Sequence, residues 1–164
     1  MSLELPGELR SLLGVLGYTW PEADEDKLLK MGEAWLRFAT TLDGLTASAQ
    51  STAAPVWSTN TGADITAFQE WWTNEDSPLA AMRDGVPAAV LTGTGLVICG
   101  TIVLALKVAV IIQLTILAIQ IAQAIATAPV TFGASLAEIP IFQQLTRIAI
   151  GALIDEVIAT LLEA

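Results

Sequence analysis

Apolar side chains recur along residues 28–45 at the spacing of one helical face: Leu28, Met31, Trp35, Phe38, Leu42 and Leu45 step by 3, 4, 3, 4 and 3. This is a heptad-like seam of about five turns, suited to one long partner helix. Glu22, Asp24, Glu25 and Asp26 precede it, where acids favour a helix start. Small and polar residues from Thr46 to Thr52, followed by Pro55, predict its end. Upstream, Leu5–Leu16 reads as a short helix with Pro6 in its first turn, weakened at Gly14 and Gly17. Downstream, residues 56–62 read as a loop, and a second helix is predicted from Ala63 to about Asn74 with Ile65, Phe68 and Trp72 on one face.

The second half changes character. Pro78 permits a helix start at Leu79, with Gly85 and Pro87 expected to interrupt it. Thr92–Gly95 and Gly100 are expected to soften the apolar region beyond. From Val86 to Ala128 the only charge is Lys107. The 21 residues from Val108 to Ala128 would span about 30 Å as a helix, enough for a hydrocarbon core. Gln113, Gln120 and Thr127 fall seven apart, with Gln123 near the same stripe. A lipid-facing helix has no use for an aligned Gln ladder, so this polar seam favours a helix packed in a bundle, with membrane entry as a conditional second state. Pro129–Ser135 is a connector, and a last helix over about 140–163 would turn Leu145, Ile148, Ala152, Val157 and Leu161 to one side. Ser135 and Glu138 have capping-box spacing, but a start at Ile139 or Pro140 fits equally well. No segment alternates with period two. The fold class is therefore all-α, a multi-helix bundle with long apolar helices.

Composition sharpens this division. Residues 1–85 carry 13 acids and 5 bases, whereas residues 86–164 carry 4 acids and 2 bases. All five tryptophans lie in the first part. The chain fits one domain, 1–164, with an acidic Trp-rich part (1–85) and an apolar part (86–164). Lacking a basic patch, it does not suit nucleic acid, and its net charge of −10 disfavours anionic lipid. The N-terminus lacks the basic start and apolar core of a secretory signal peptide.

Chemistry is sparse. There is no histidine, and the lone Cys99 sits in apolar Val-Ile-Cys-Gly, which reads as a buried inert thiol. Asp24, Glu25 and Asp26 read as capping and solubility residues rather than a metal site, and Thr92–Gly95 lacks the lysine of a phosphate loop. The expectation is no enzyme, no cofactor and no metal. Lys107 is expected either to snorkel from an apolar surface or to pair with an acid from the first part, and pairing is the favoured reading. The aromatic set offers interaction candidates: Trp35 and Phe38 in the seam, and Trp57, Phe68, Trp71 and Trp72 around the next helix. A hairpin core accounts for most of them, but adjacent Trp71 and Trp72 cannot both face one side, so one should be partly exposed.

Several of these segments resemble a known family. Leu5-Pro-Gly-Glu-Leu, Trp20-Pro21, Asp24–Lys27 and Trp35-Leu-Arg-Phe38, then Lys107–Leu114 and Ala128–Pro140, are similar to the WXG-like leader domains of actinobacterial polymorphic toxins and of the channel protein with necrotizing toxin. The likeness covers essentially the whole chain, and the second group of segments is the more specific. It implies a WXG-like helical hairpin within the bundle and a non-catalytic secretion or interaction module. Such a module is the N-terminal export or assembly domain of a type VII (ESX) secreted toxin. The partners implied are a second copy or a small WXG-like helical protein and the type VII machinery. The localisation implied is cytoplasmic before export, then secreted or envelope-associated. A membrane-inserting or pore-forming domain and a homo-oligomeric scaffold are the alternatives. Two departures stand out. Trp57 and Gly62 occupy the expected inter-helix loop with four residues between them, not one. The only Tyr-X-X-X-Glu tag, Tyr18 with Glu22, precedes the hairpin instead of lying after it.

Overall fold

A computed structural model describes residues 2–163; Met1 and Ala164, the ends of the expected 1–164 domain, lie outside them. Five α-helices occur in order: α1 (Gly7–Val15), α2 (Glu25–Thr59), α3 (Ala63–Thr73), α4 (Pro78–Thr127) and α5 (Ile139–Glu163). A 3-10 turn, Ala134–Glu138, precedes α5, and no strand occurs among the described residues. Contacts divide the chain into two units that do not respect the composition break at residue 85. One unit holds residues 2–27 and 99–163, the other residues 28–98.

Local chemistry explains most helix ends. Pro6 precedes α1, and Gly17, at φ +84°, closes it: its N–H donates to Gly14 and that of Tyr18 to Leu13. A left-handed closure of this kind favours glycine. Asp24 Oδ1 accepts the Lys27 N–H at the start of α2, and Ser77 Oγ accepts the Ala80 N–H before Pro78 opens α4.

Three sequence expectations are corrected. First, α2 does not stop before Pro55 but runs to Thr59, so Trp57 lies in its last turns and not in the loop. Hydroxyls bridge back along this stretch, Thr52 to Ser48 and Thr59 to Pro55, and the Trp57 ring meets Phe68 of α3 at 5.8 Å. Tertiary packing outweighs the local breaker. Second, α4 is continuous for 50 residues through Gly85, Pro87, Gly93, Gly95 and Gly100. Gly93 and Gly100 are buried, and at Gly93 the lack of a side chain serves close packing and not interruption. Third, the predicted face of α5 is wrong. Leu145, Ile148 and Ala152 are exposed, whereas Thr146 and Ile150 are buried. Every face of α5 carries apolar residues, so periodicity alone had little contrast to work with.

In the unit of residues 2–27 and 99–163, the core joins Leu5, Leu13 and Leu16 to Val110, Leu114 and Leu117 of α4 and Ile150 of α5. The Tyr18 hydroxyl donates to the Arg147 carbonyl at 3.2 Å, tying the segment after α1 to α5. Cys99 is half-buried rather than fully buried.

Candidate functional site

The unit of residues 28–98 carries the interaction candidates. Two helices cross it antiparallel: Gly32 approaches Gly93, and Gly85 approaches Leu42. A Cβ on Gly32 would sit 2.7 Å from the Gly93 carbonyl oxygen, so at this point the backbones themselves are in contact. The side of α2 that is buried is a stripe of small residues, Gly32, Ala39, Thr46 and Ala53, each seven after the last. Thr46 meets its burial by donating its hydroxyl to the Leu42 carbonyl at 2.7 Å.

The expected seam is therefore displaced. The intramolecular partner packs on the small stripe, and the adjacent stripe of large side chains stays open. Trp35 is 40% and Phe38 49% exposed, and Met31 and Leu45 are exposed beside them. The Trp35 and Phe38 rings meet edge to face at 5.8 Å and 85°. With Met31 and Ala34 they line an apolar groove of about 290 Å³. Small residues let the two backbones approach at Gly32 and Gly93, and of the expected seam Leu28 and Leu42 are half-buried, Leu42 against Gly85, while the other four stay open.

The second aromatic group sits at the α2–α3 turn. Gly62, at φ +146°, precedes α3, and its carbonyl accepts the Thr66 N–H. Phe68 lies 5.8 Å from Trp57, 6.1 Å from Trp71 and 5.9 Å from Trp72, at the centre of four rings. Trp72 is half-buried, with its indole N–H on Gln50 Oε1 at 3.1 Å, and Trp71 is the exposed member of the pair. The polar seam lies elsewhere: Gln113 and Gln120 are half-buried and Gln123 exposed, each one residue before an inward position of α4.

The other unit holds the most concentrated polar site. Lys107 and Glu25 are 1% and 2% exposed and pair at 2.6 Å. Lys107 Nζ also donates to the Ser2 hydroxyl (2.8 Å) and the Ala23 carbonyl (2.7 Å), and lies 5.7 Å from the Trp20 ring centre. Glu25 further accepts from the Ser2 hydroxyl and the Leu3 N–H. Burial disfavours its ionised form, but the Leu3, Lys107 and Ser2 donors outweigh this and hold the carboxyl at about 2. Asp24 is also held below its ordinary value, first by the Lys27 N–H. Glu25 is thus not the solvated cap expected from its acidic neighbours but the buried counter-charge of Lys107. Residues 2–25 form a strap pinned at both ends to one side chain. No group of three or more His, Cys, Asp or Glu side chains gathers to hold a metal among the described residues.

The unit of residues 28–98 thus joins a close glycine crossing to a bulky apolar stripe left open. The match to the WXG100 like domain family covers residues 4–148, and the chain belongs to that family. Membership makes it a type VII secretion-related helical protein. No curated protein and no solved structure matches it.

Proposed function

We propose that this chain is a non-catalytic export and assembly module, the leader of a type VII-secreted toxin, which pairs through α2 with a second helical chain. The observation that carries the reading is the open stripe of Met31, Trp35, Phe38 and Leu45, a row of large apolar side chains at helix-packing spacing. Family habit supports it, since WXG100-like proteins typically form homodimers or pair with helical partners in type VII secretion. Export without a signal peptide agrees with membership of the family. The partner is a second copy or a small WXG-like protein, whose apolar helix would lie in the groove and cover the two rings.

The test is export of the tagged chain from its native host. Wild type is expected in the culture filtrate only when the type VII ATPase is present. The double substitution Trp35→Asp/Phe38→Asp should lower export at least tenfold while leaving helical content unchanged, because both rings are substantially exposed. Export independent of the ATPase, or unaffected by the double substitution, would overturn the proposal.

A further inference from the structure

Charge is unevenly placed around the open stripe of α2. The unit of residues 28–98 holds seven acids and three bases, yet two of those bases, Lys30 and Arg37, stand beside the groove. Each directly precedes a groove residue, Met31 and Phe38. At about 100° per residue the two bases fall on one line along the helix, with groove-lining Ala34 between them. Both are exposed. Lys30 has no ion pair among the described residues. Arg37 meets Glu33 at 3.6 Å with both side chains largely in solvent, a pairing that costs little to exchange.

The acids of this stretch lie elsewhere. From residue 28 to its end, α2 carries Glu33 and Asp43 as its acids. Glu33 sits on the side of Arg37 away from the groove. Asp43 lines a separate cleft with Thr46 and Arg83, the third base. The opposite edge of the stripe is closed by the crossing with α4, where Gly32 and Ala39 are buried. Along α2 the groove therefore has one solvent-facing rim, and the charges on it are positive in a chain of net charge −10.

We infer that this groove takes an acidic amphipathic helix of a different chain, whose Asp or Glu side chains, beside an apolar stripe of its own, meet Lys30 and Arg37. The inference rests on the reading of α2 as a partner-binding helix and adds the partner's charge. Charges flanking an apolar seam set which helix is accepted and in which direction it runs. A second copy does not meet this requirement. Two copies packed antiparallel by the same stripe would bring the Lys30–Arg37 row of one onto that of the other. Packed parallel, each row would face the Gly32–Ala39 edge, which α4 already occupies. Neither arrangement places an acid beside the row, whereas a helix with acids along one flank satisfies both bases at once.

The experiment measures binding of the purified full chain to two labelled synthetic helices by fluorescence anisotropy. Both peptides are about four heptads long with the same Leu stripe, and they differ in carrying Glu or Lys at the flanking positions. The Glu peptide should bind about tenfold tighter than the Lys peptide at low salt, and the gap should close at about 0.5 M NaCl. With a net charge of −10, nonspecific attraction would favour the Lys peptide, so the expected order reports the local row. Lys30→Glu/Arg37→Glu should reverse the preference while leaving helical content by circular dichroism unchanged, since both side chains are exposed. Equal binding of the two peptides, with both lost in Trp35→Asp/Phe38→Asp, would overturn the inference and leave the α2 reading standing. Binding of neither peptide, or binding indifferent to Trp35→Asp/Phe38→Asp, would overturn both. A wild-type dimer in sedimentation equilibrium that Trp35→Asp/Phe38→Asp dissociates would assign the groove to a second copy and also overturn the inference.

Discussion

Lys107→Met is expected to destabilise the unit of residues 2–27 and 99–163 by about 3–5 kcal/mol, because it strands a buried carboxylate. Glu25 would keep the Leu3 N–H and the Ser2 hydroxyl but lose the one cation that pairs with it among the described residues. Ser2 and Ala23 would lose the ammonium they share, so both ends of the strap loosen together. Urea unfolding monitored by circular dichroism gives the measurement. The double variant Lys107→Met/Glu25→Leu should recover most of the loss, since an apolar pair of similar volume carries no desolvation penalty. A double variant as unstable as the single one would show that the strap is held by shape and not by charge.

The same pair sets an acid limit. Glu25 has a folded value of about 2 against an ordinary 4.5, so its contribution is present above pH 4.5. As pH falls through that window toward 2, the folded state must take up the proton that the unfolded state already holds, and stability drops by on the order of 3 kcal/mol. In Lys107→Met the cation that favours the carboxylate is gone, so this acid-dependent loss should shift to higher pH.

Gly93→Leu is the second large effect expected. A Cβ at residue 93 would lie 2.9 Å from the Gly32 carbonyl oxygen and 2.9 Å from Leu36 Cγ. The first of these atoms is backbone and cannot rotate away, so the two helices must separate along their crossing. A loss of about 3 kcal/mol in the unit of residues 28–98 is expected in urea unfolding, despite the gain in helix propensity. By contrast, the Cβ of Gly95→Ala would meet nothing within 4 Å, and this change should be neutral to stabilising. Equal losses at both positions would argue against a glycine-specific crossing.

The all-α class and most helix starts were legible because caps and prolines act locally: Pro6, Asp24, Gly62 and Pro78 do at their own positions what their chemistry predicts. The pairing of Lys107 with an acid was legible too, since a lone charge in an apolar run needs a partner. What could not be read was which face turns inward. Inward positions of α4 step by three and four from Val86 through Ala89, Gly93, Leu96, Gly100 and Val103 to Lys107. The remaining faces of that helix are also apolar, however, so hydrophobic contrast is nearly absent. In α2 the contrast was strong and misled: large residues drew attention to residues 31, 35 and 38, while the internal contact used the glycine and alanines beside them. Glu25 hid among three acids, and only the fold singles it out.

The central claim, that the bulky stripe of α2 is kept for another helical chain, is tested most directly by photo-crosslinking in the native host. A photoreactive residue at position 35 should join the chain to a second copy or to a small helical protein of the type VII pathway. The same probe at position 33, where Glu33 is exposed on another face of α2, should give at least tenfold less product. No product from position 35, or equal yields from both positions, would contradict the account.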